Sequence, residues 1–380
     1  MRSPEPDGLP DELPDELPSA PASPARMPTA PSVTVAICTH DRASDVRRCC
    51  EGLAPQVEDA GFELIIVDSG SGEEEARDLR WISRQFGARY VRSNEPGLAL
   101  ARNLACEAAR AEWVAFLDDD AIPYPDWAKT LLARLESAPP EVAVVGGRTV
   151  PLWPAGAPAN HVTGRWMLLL SCVQIDGDGA VSDGFDIVGA NMAVRRAAVA
   201  AAGGFPTATG RTGTALMSGE ESFLFERLFE LGMISIYHGS ISVWHRIPEA
   251  RLDRAWVARR AYWEGASQIA VAEALRRPVP WWLSRPKLVL SLPILWALRE
   301  ISSNPDYLIR YNMVLGALIA QSQGWFRHLH VESPAGRVSE SNRGEAIQPL
   351  MPARYAAARR RRAGSYRGPD ALHDSRSGRR

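Results

Sequence analysis

Trp113-Val114-Ala115-Phe116-Leu117-Asp118-Asp119-Asp120 is the stretch on which the reading of the chain turns. Its short apolar run reads as a strand, and the strand ends in three consecutive carboxylates. Like charges this close repel and raise one another's pKa, whereas a bound divalent cation reverses that balance. Hard oxygen donors suit Mg2+ or Mn2+. The alternative is an acidic loop that caps a following helix, with Pro123 and Pro125 near its first turn. The place of the acids, just beyond a strand, favours the cation, because open α/β sheets bind ligands past the carboxyl ends of their strands.

Toward the N-terminus, apolar runs at 62–67 and 33–38, and the segment at 89–92, read as three more strands. Helical patterns fill the intervals at 98–109, 73–86 and from the polar turn at 39–42 to about residue 53. Strands alternating with helices imply parallel pairing in a doubly wound sheet. The polar residues after the strands, Thr39 to Arg42, Asp68, and Asp118 to Asp120, are then expected to converge on one crevice. The first turn has no Gly-x-Gly-x-x-Gly loop and no Walker A loop, which argues against a dinucleotide site and a P-loop site.

Toward the C-terminus, Gly189-Ala190-Asn191-Met192-Ala193-Val194 precedes a helical run to Gly203-Gly204-Phe205. Gly219-Glu220-Glu221 then leads into a helix over 222–231, where acids ordinarily serve as caps favoured by the dipole. Strands at 234–237 and 241–244 end at His245, which is either a packing residue or a ligand. A helix over 252–276 carries Trp256, Trp263 and Ala270 at spacings of seven, a packing stripe. Apolar runs follow at 287–298, interrupted by Pro293, and at 311–320; both fall short of the roughly 20 residues that cross a bilayer. Their flanks (Trp281, Trp282, Arg285, Lys287, Trp325, Arg327) suit helices lying among lipid headgroups, the alternative being helices packed on the catalytic domain.

The 380 residues accommodate one large α/β domain with an appendage, and a net charge of −2 gives no global bias toward nucleic acid. The ends are polarised. Residues 1–30 carry six acids against two arginines, and residues 337–380 carry eleven arginines against four acids. Segments of this composition bury too little apolar surface to order themselves, so 1–31 and 331–380 are expected to be disordered, flanking a catalytic domain at 32–250 and a helical region at 251–330. Five cysteines, two of them adjacent at Cys49 and Cys50, make a disulfide framework implausible and read as reduced small hydrophobes. No basic segment followed by an apolar one opens the chain, so the chemistry is expected to face the cytoplasm, at the inner face of the plasma membrane if the C-terminal helices lie on lipid.

The motifs, taken in order, resemble the family-two inverting glycosyltransferases of GT-A fold. They are Val35-Ala36-Ile37-Cys38-Thr39-His40-Asp41-Arg42, Ile66-Val67-Asp68-Ser69-Gly70-Ser71, Glu95-Pro96-Gly97-Leu98-Ala99-Leu100-Ala101-Arg102-Asn103, Phe116-Leu117 with the three aspartates, and then the segments at 189–196, 203–205, 219–221 and 243–245. The resemblance implies an α/β fold with a doubly wound mixed sheet and a helical C-terminal extension. It places Thr39 and Asp68 at the nucleotide base, and Arg42 and Arg102 near base or phosphate. Asp118 and Asp119 fall near the ribose, Asp120 at the metal-ligating end of an Asp-x-Asp motif, and His245 at the metal or diphosphate. Asn191 falls in the segment lining the donor-sugar and acceptor pocket. Glu221 matches the general base, with Glu-Glu standing where the family has Glu-Asp, so Glu220 is the substitute candidate.

The implied activity is cation-dependent transfer of a sugar from a nucleoside diphosphate sugar to a hydroxyl of a glycan or lipid-linked acceptor, in cell-envelope, polysaccharide or glycolipid synthesis. Two other readings compete. A nucleotidyltransferase would need a Gly-rich phosphate loop near the first strand, which residues 38–52 do not offer. A non-catalytic nucleotide-sugar-binding module of the same fold is invited only by the Glu-Glu variant.

Overall fold

The computed structural model describes residues 31–157, 162, 164–182, 186–207, 216–279 and 283–323. The acidic segment up to residue 30, the basic segment at 331–380, and Trp281, Trp282, Trp325 and Arg327 lie outside the described residues.

Four strands and three helices alternate through the first part of the chain: β1 (Thr34–Thr39), α1 (Ala43–Ala60), β2 (Glu63–Ser69), α2 (Glu73–Gln85), β3 (Arg89–Ser93), α3 (Leu98–Ala108) and β4 (Trp113–Asp118). All three pairings among these strands are parallel, β3 to β2, β2 to β1 and β1 to β4. α1 runs past the expected stop near residue 53 and takes Pro55 into its body, ending at Gly61 in the left-handed region (φ 59). Glycine adopts that conformation without the Cβ penalty that other residues meet.

Beyond β4 the sheet turns mixed. β5 (Ala121–Pro123), α4 (Trp127–Glu136), β6 (Val142–Leu152), α5 (Arg165–Leu169), β7 (Asp178–Ser182), β8 (Asn191–Arg195), α6 (Arg196–Ala202), α7 (Glu220–Glu230) and β9 (Ile234–Arg246) follow. Among the described residues the nine-stranded sheet runs β3-β2-β1-β4-β8-β6-β9-β5, with β7 also on β9. β8 is antiparallel to both β4 and β6, and β6 is parallel to β9. The runs read as separate strands at 234–237 and 241–244 form one strand, β9, whose ladder with β6 slips between Gly147 and Arg148. Such a bulge bends the strand and re-aims the residues beyond it.

Two apolar layers cover the sheet. One gathers Val35, Ile37, Leu53, Leu64 and Trp127 with α1, α2 and α4; the other gathers Ile65, Val67, Phe116, Met192 and Phe205 with α3, α6 and α7. The five cysteines are buried and free. After β9 a short 3-10 turn (Glu249–Leu252) leads into α8 (Arg254–Ala274), α9 (Arg285–Ile301) and α10 (Pro305–Gln323). Trp256, Trp263 and Ala270 of α8 pack into two clusters together with residues of α10, such as Ile309 and Ala317. No described helix is long and apolar enough to cross a membrane.

Candidate active site

The β4 strand delivers Asp118 to the sheet's carboxyl end, and Asp119 and Asp120 turn directly into β5. No helix begins at the triad: β5 follows it, and α4 starts only at Trp127. The helix-capping alternative is therefore set aside. β5 pairs antiparallel with the end of β9, so that Ala121 faces His245, and the Arg246 amide donates to the Asp120 carbonyl at 2.9 Å. The backbone ladder thus fixes Asp120 beside His245. The imidazole Nε2 meets Asp120 Oδ1 at 2.9 Å, and both side chains are buried.

Around this pair the charges are dense. Arg42 bonds Asp120 Oδ2 at 3.0 Å and also pairs with Asp119, while Arg251 reaches Asp120 Oδ2 at 3.3 Å. Thr39 donates its hydroxyl to Asp119 Oδ2 at 2.7 Å. Burial and the adjacent Asp120 charge push the Asp119 carboxyl up to about 7, against the pull of Arg42 and Thr39. Burial also opposes ionisation of Asp120, but His245, Arg251 and Arg42 outweigh it and hold that carboxyl well below the usual range. For His245, burial works against the imidazolium, yet Asp120 prevails and lifts it to about 10. Cys172 Sγ lies 3.9 Å from the other ring nitrogen, Nδ1.

One ligand atom each from Asp118, Asp120 and His245 can be chosen so that all lie within 4.8 Å of one another. Two carboxylate oxygens and an imidazole nitrogen form a donor set that suits Mn2+ or Mg2+, with further positions left for substrate oxygens. The residues present fit such a cation.

A second cluster adjoins the first through Asp118. Arg102 projects from α3 with only 2% of its surface exposed. Its guanidinium meets Glu221 Oε1 at 2.9 Å, Glu220 Oε1 at 3.2 Å and Asp118 Oδ1 at 3.8 Å. Burial disfavours that charge, but the three acids more than restore it. The two glutamates open α7, where the helix dipole also favours acids. They differ in access: the Glu221 side chain is 20% exposed and that of Glu220 3%. Gly189 lies hard against the pair, since a Cβ there would stand 1.9 Å from Arg102 Nη2 and 2.5 Å from Glu221 Oε1.

Asp68 ends β2 beside Thr39 in the β1–β2 register and is buried. It accepts from the Ser71 amide at 2.9 Å and from the Tyr90 hydroxyl, with Arg92 Nε at 3.7 Å. Asn191 is committed differently. Its Oδ1 accepts from Trp127 Nε1 at 3.0 Å, and its Nδ2 donates to the carbonyls of Arg148 and Ile241, each at 2.9 Å. The amide braces β6, β8, β9 and α4 against one another. No local pattern marks Arg251, Tyr90, Arg92 or Cys172; the pairing of β9 with β5 and of β2 with β3 brings the first three to the site, and the hydrogen bonds of Val173 to Thr149 of β6 bring Cys172.

Comparison with known proteins gives a consistent picture. Residues 34–170 match the family model described as Glycosyl transferase family 2. The glucosyl-dolichyl phosphate glucuronosyltransferase of Haloferax volcanii is 29% identical over 244 residues, covering 62% of this chain and 76% of that protein. The pre-mycofactocin glycosyltransferase of Mycobacterium tuberculosis is 30% identical over 262 residues, covering 67% of this chain, which spans only 50% of that relative's length. Among solved structures, a mannosyltransferase from Pyrobaculum calidifontis in complex with GDP-Man and Mn2+ superposes with a TM-score of 0.51 at 20% identity, covering 81% of this chain and 91% of its own.

Proposed function

The chain carries a glycosyl transferase family 2 domain in a GT-A fold, and from that premise we propose that it moves a sugar from a nucleoside diphosphate to an acceptor hydroxyl by a single, inverting, cation-dependent displacement. The observation that carries this reading is the convergence of Asp118, Asp120 and His245 next to an Arg102–Glu221 pair. A cation site and a candidate base thus adjoin one another across Asp118.

Asp118, Asp120 and His245 would hold the divalent cation, Mg2+ or Mn2+. When bound, such an ion neutralises the charge that builds on a departing diphosphate. Arg42 and Arg251 flank Asp120 and add fixed positive charge for phosphate oxygens. Thr39 and Asp68, side by side at the ends of β1 and β2, are assigned to the base. Glu221, the more exposed glutamate, takes the acceptor proton as the new bond to the anomeric carbon forms and the bond to the diphosphate breaks. Arg102 holds that carboxylate in one orientation, and Glu220, buried behind it, holds Arg102. This division of labour assigns the base to the second acid of the Glu-Glu pair.

The names of the relatives support glycoconjugate synthesis as the setting: one acts on a glucosyl-dolichyl phosphate, and the Pyrobaculum enzyme was solved with a nucleotide sugar and Mn2+. A glycan or lipid-linked acceptor in envelope, polysaccharide or glycolipid assembly is the corresponding role here. The test is Glu221→Gln. Donor binding should survive while turnover falls by about 10²–10⁴-fold, measured by calorimetry and by release of nucleoside diphosphate. Wild-type turnover in that variant would discard the assignment of the base.

A further inference from the structure

α9 presents a face that no described element covers. Leu290, Ile294 and Ile301 form one stripe at i, i+4 and i+11, exposed to 74%, 63% and 81%; Val289 and Trp296 lie beside them at 52% and 53%. The opposite side is occupied, because Leu288 is buried with Ala266, Ile269 and Ala320 of α8 and α10. Single exposed apolar residues are ordinary, but this stripe, with Val289 and Trp296 about a third of a turn round from it, leaves much of one half of the helix apolar and uncovered over about 18 Å, the kind of surface that marks an interaction site.

Charge indicates the occupant. Exposed Arg285 and Lys287 stand at the start of the helix, and Glu300 is the only exposed acid along it. The chain that continues past α10 is strongly basic, with eleven arginines against four acids over residues 337–380. An apolar helix face and a polybasic segment are each weak membrane signals alone and effective together.

We propose that α9 lies in the plane of an anionic lipid surface, burying Leu290, Ile294 and Ile301 among the acyl chains, with Arg285 and Lys287 of the same helix among the headgroups. α10 does not share this role: its Ile309, Ala317 and Ala320 are buried, largely against α8. The helix docks and does not cross, in keeping with the absence of a spanning helix among the described residues.

The experiment is sedimentation of the full chain with vesicles of phosphatidylcholine alone or mixed equally with phosphatidylglycerol, at low and high salt. The wild type should pellet with the anionic vesicles, less at high salt and little with the neutral ones. Leu290→Glu/Ile294→Glu should lower the partition at least about tenfold, since burying each such side chain is worth about that factor. Ile301→Glu, at a position that packs on little, guards against misfolding and should show a smaller loss with an unchanged unfolding temperature. Equal partition of wild type and both variants, or no partition of the wild type, overturns the proposal. So does a wild-type dimer that the variants split into monomers without any change in vesicle binding, because α9 would then be a subunit interface.

Discussion

Asp120 sits among three cationic groups, His245, Arg42 and Arg251, in a place water scarcely reaches. Removing one partner of such a buried set costs more than the pair contributes, because the others are left uncompensated. The sign of the pH dependence is set by His245, whose folded pKa is raised from 6.5 to about 10. Its stabilising contribution is complete below pH 6.5 and is lost as the pH rises through about 10. In cation-free protein, the stability advantage of wild type over His245→Gln should therefore be largest below pH 6.5 and fade toward pH 10, as thermal melts would read. A bound cation needs the neutral imidazole, so its uptake should also release a proton, visible as buffer-dependent heats. Asp120→Ala should abolish the Mn2+ dependence of donor affinity; equal affinity with and without Mn2+ in the wild type would remove the cation from the account.

Elements show where local pattern suffices and where it does not. The first four strands and the helices between them follow from short apolar runs and the turns that bound them, because each is specified within its own stretch. β6 carries that signature only in its first four residues, Val142 to Val145; past Gly146-Gly147 its continuation through Arg148 to Leu152 follows from its pairing with β9. The same holds for the join within β9, where His238-Gly239-Ser240 reads as a turn yet is carried through as a bulged strand. At the site, Thr39, Asp68 and the aspartates were legible as polar residues at strand ends. The bond from Arg102 to Glu221 and the arrival of Arg251 depend on contacts across more than a hundred residues and leave no trace in spacing. The helical region rests on another contact of this kind. A Cβ on Gly265 of α8 would stand 1.9 Å from the Met313 carbonyl oxygen, and one on Gly316 of α10 would stand 1.9 Å from that of Tyr262. The two helices meet backbone to backbone there. Gly316→Ala should force them apart at a cost of about 1–3 kcal/mol, read as a lower urea midpoint with unchanged slope.

For the molecule as a whole, a true donor must bind the folded state alone and so stabilise it. At a hundredfold excess over its Kd, the correct nucleoside diphosphate sugar with Mn2+ should add about 2.7 kcal/mol, and a thermal-shift panel across bases and sugars identifies it by that rise. The site that receives it is assembled from two parts of one sheet. Two residues, Asp119 and Asp120, carry β4 into β5, yet the hydrogen-bonded route between the same two strands passes through β8, β6 and β9. The sheet therefore doubles back on itself, and the proposed cation site would work as a pincer. One jaw is Asp118, fixed to the parallel strands; the other is Asp120 with His245, fixed to the β5–β9 ribbon. The ribbon's β9 shifts register against β6 at the bulge around residues 239–241, where the Asn191 amide grips the Ile241 carbonyl. Adding or deleting a residue at that bulge would reset the gap between the jaws and retune the grip on a cation, with every ligand left in place.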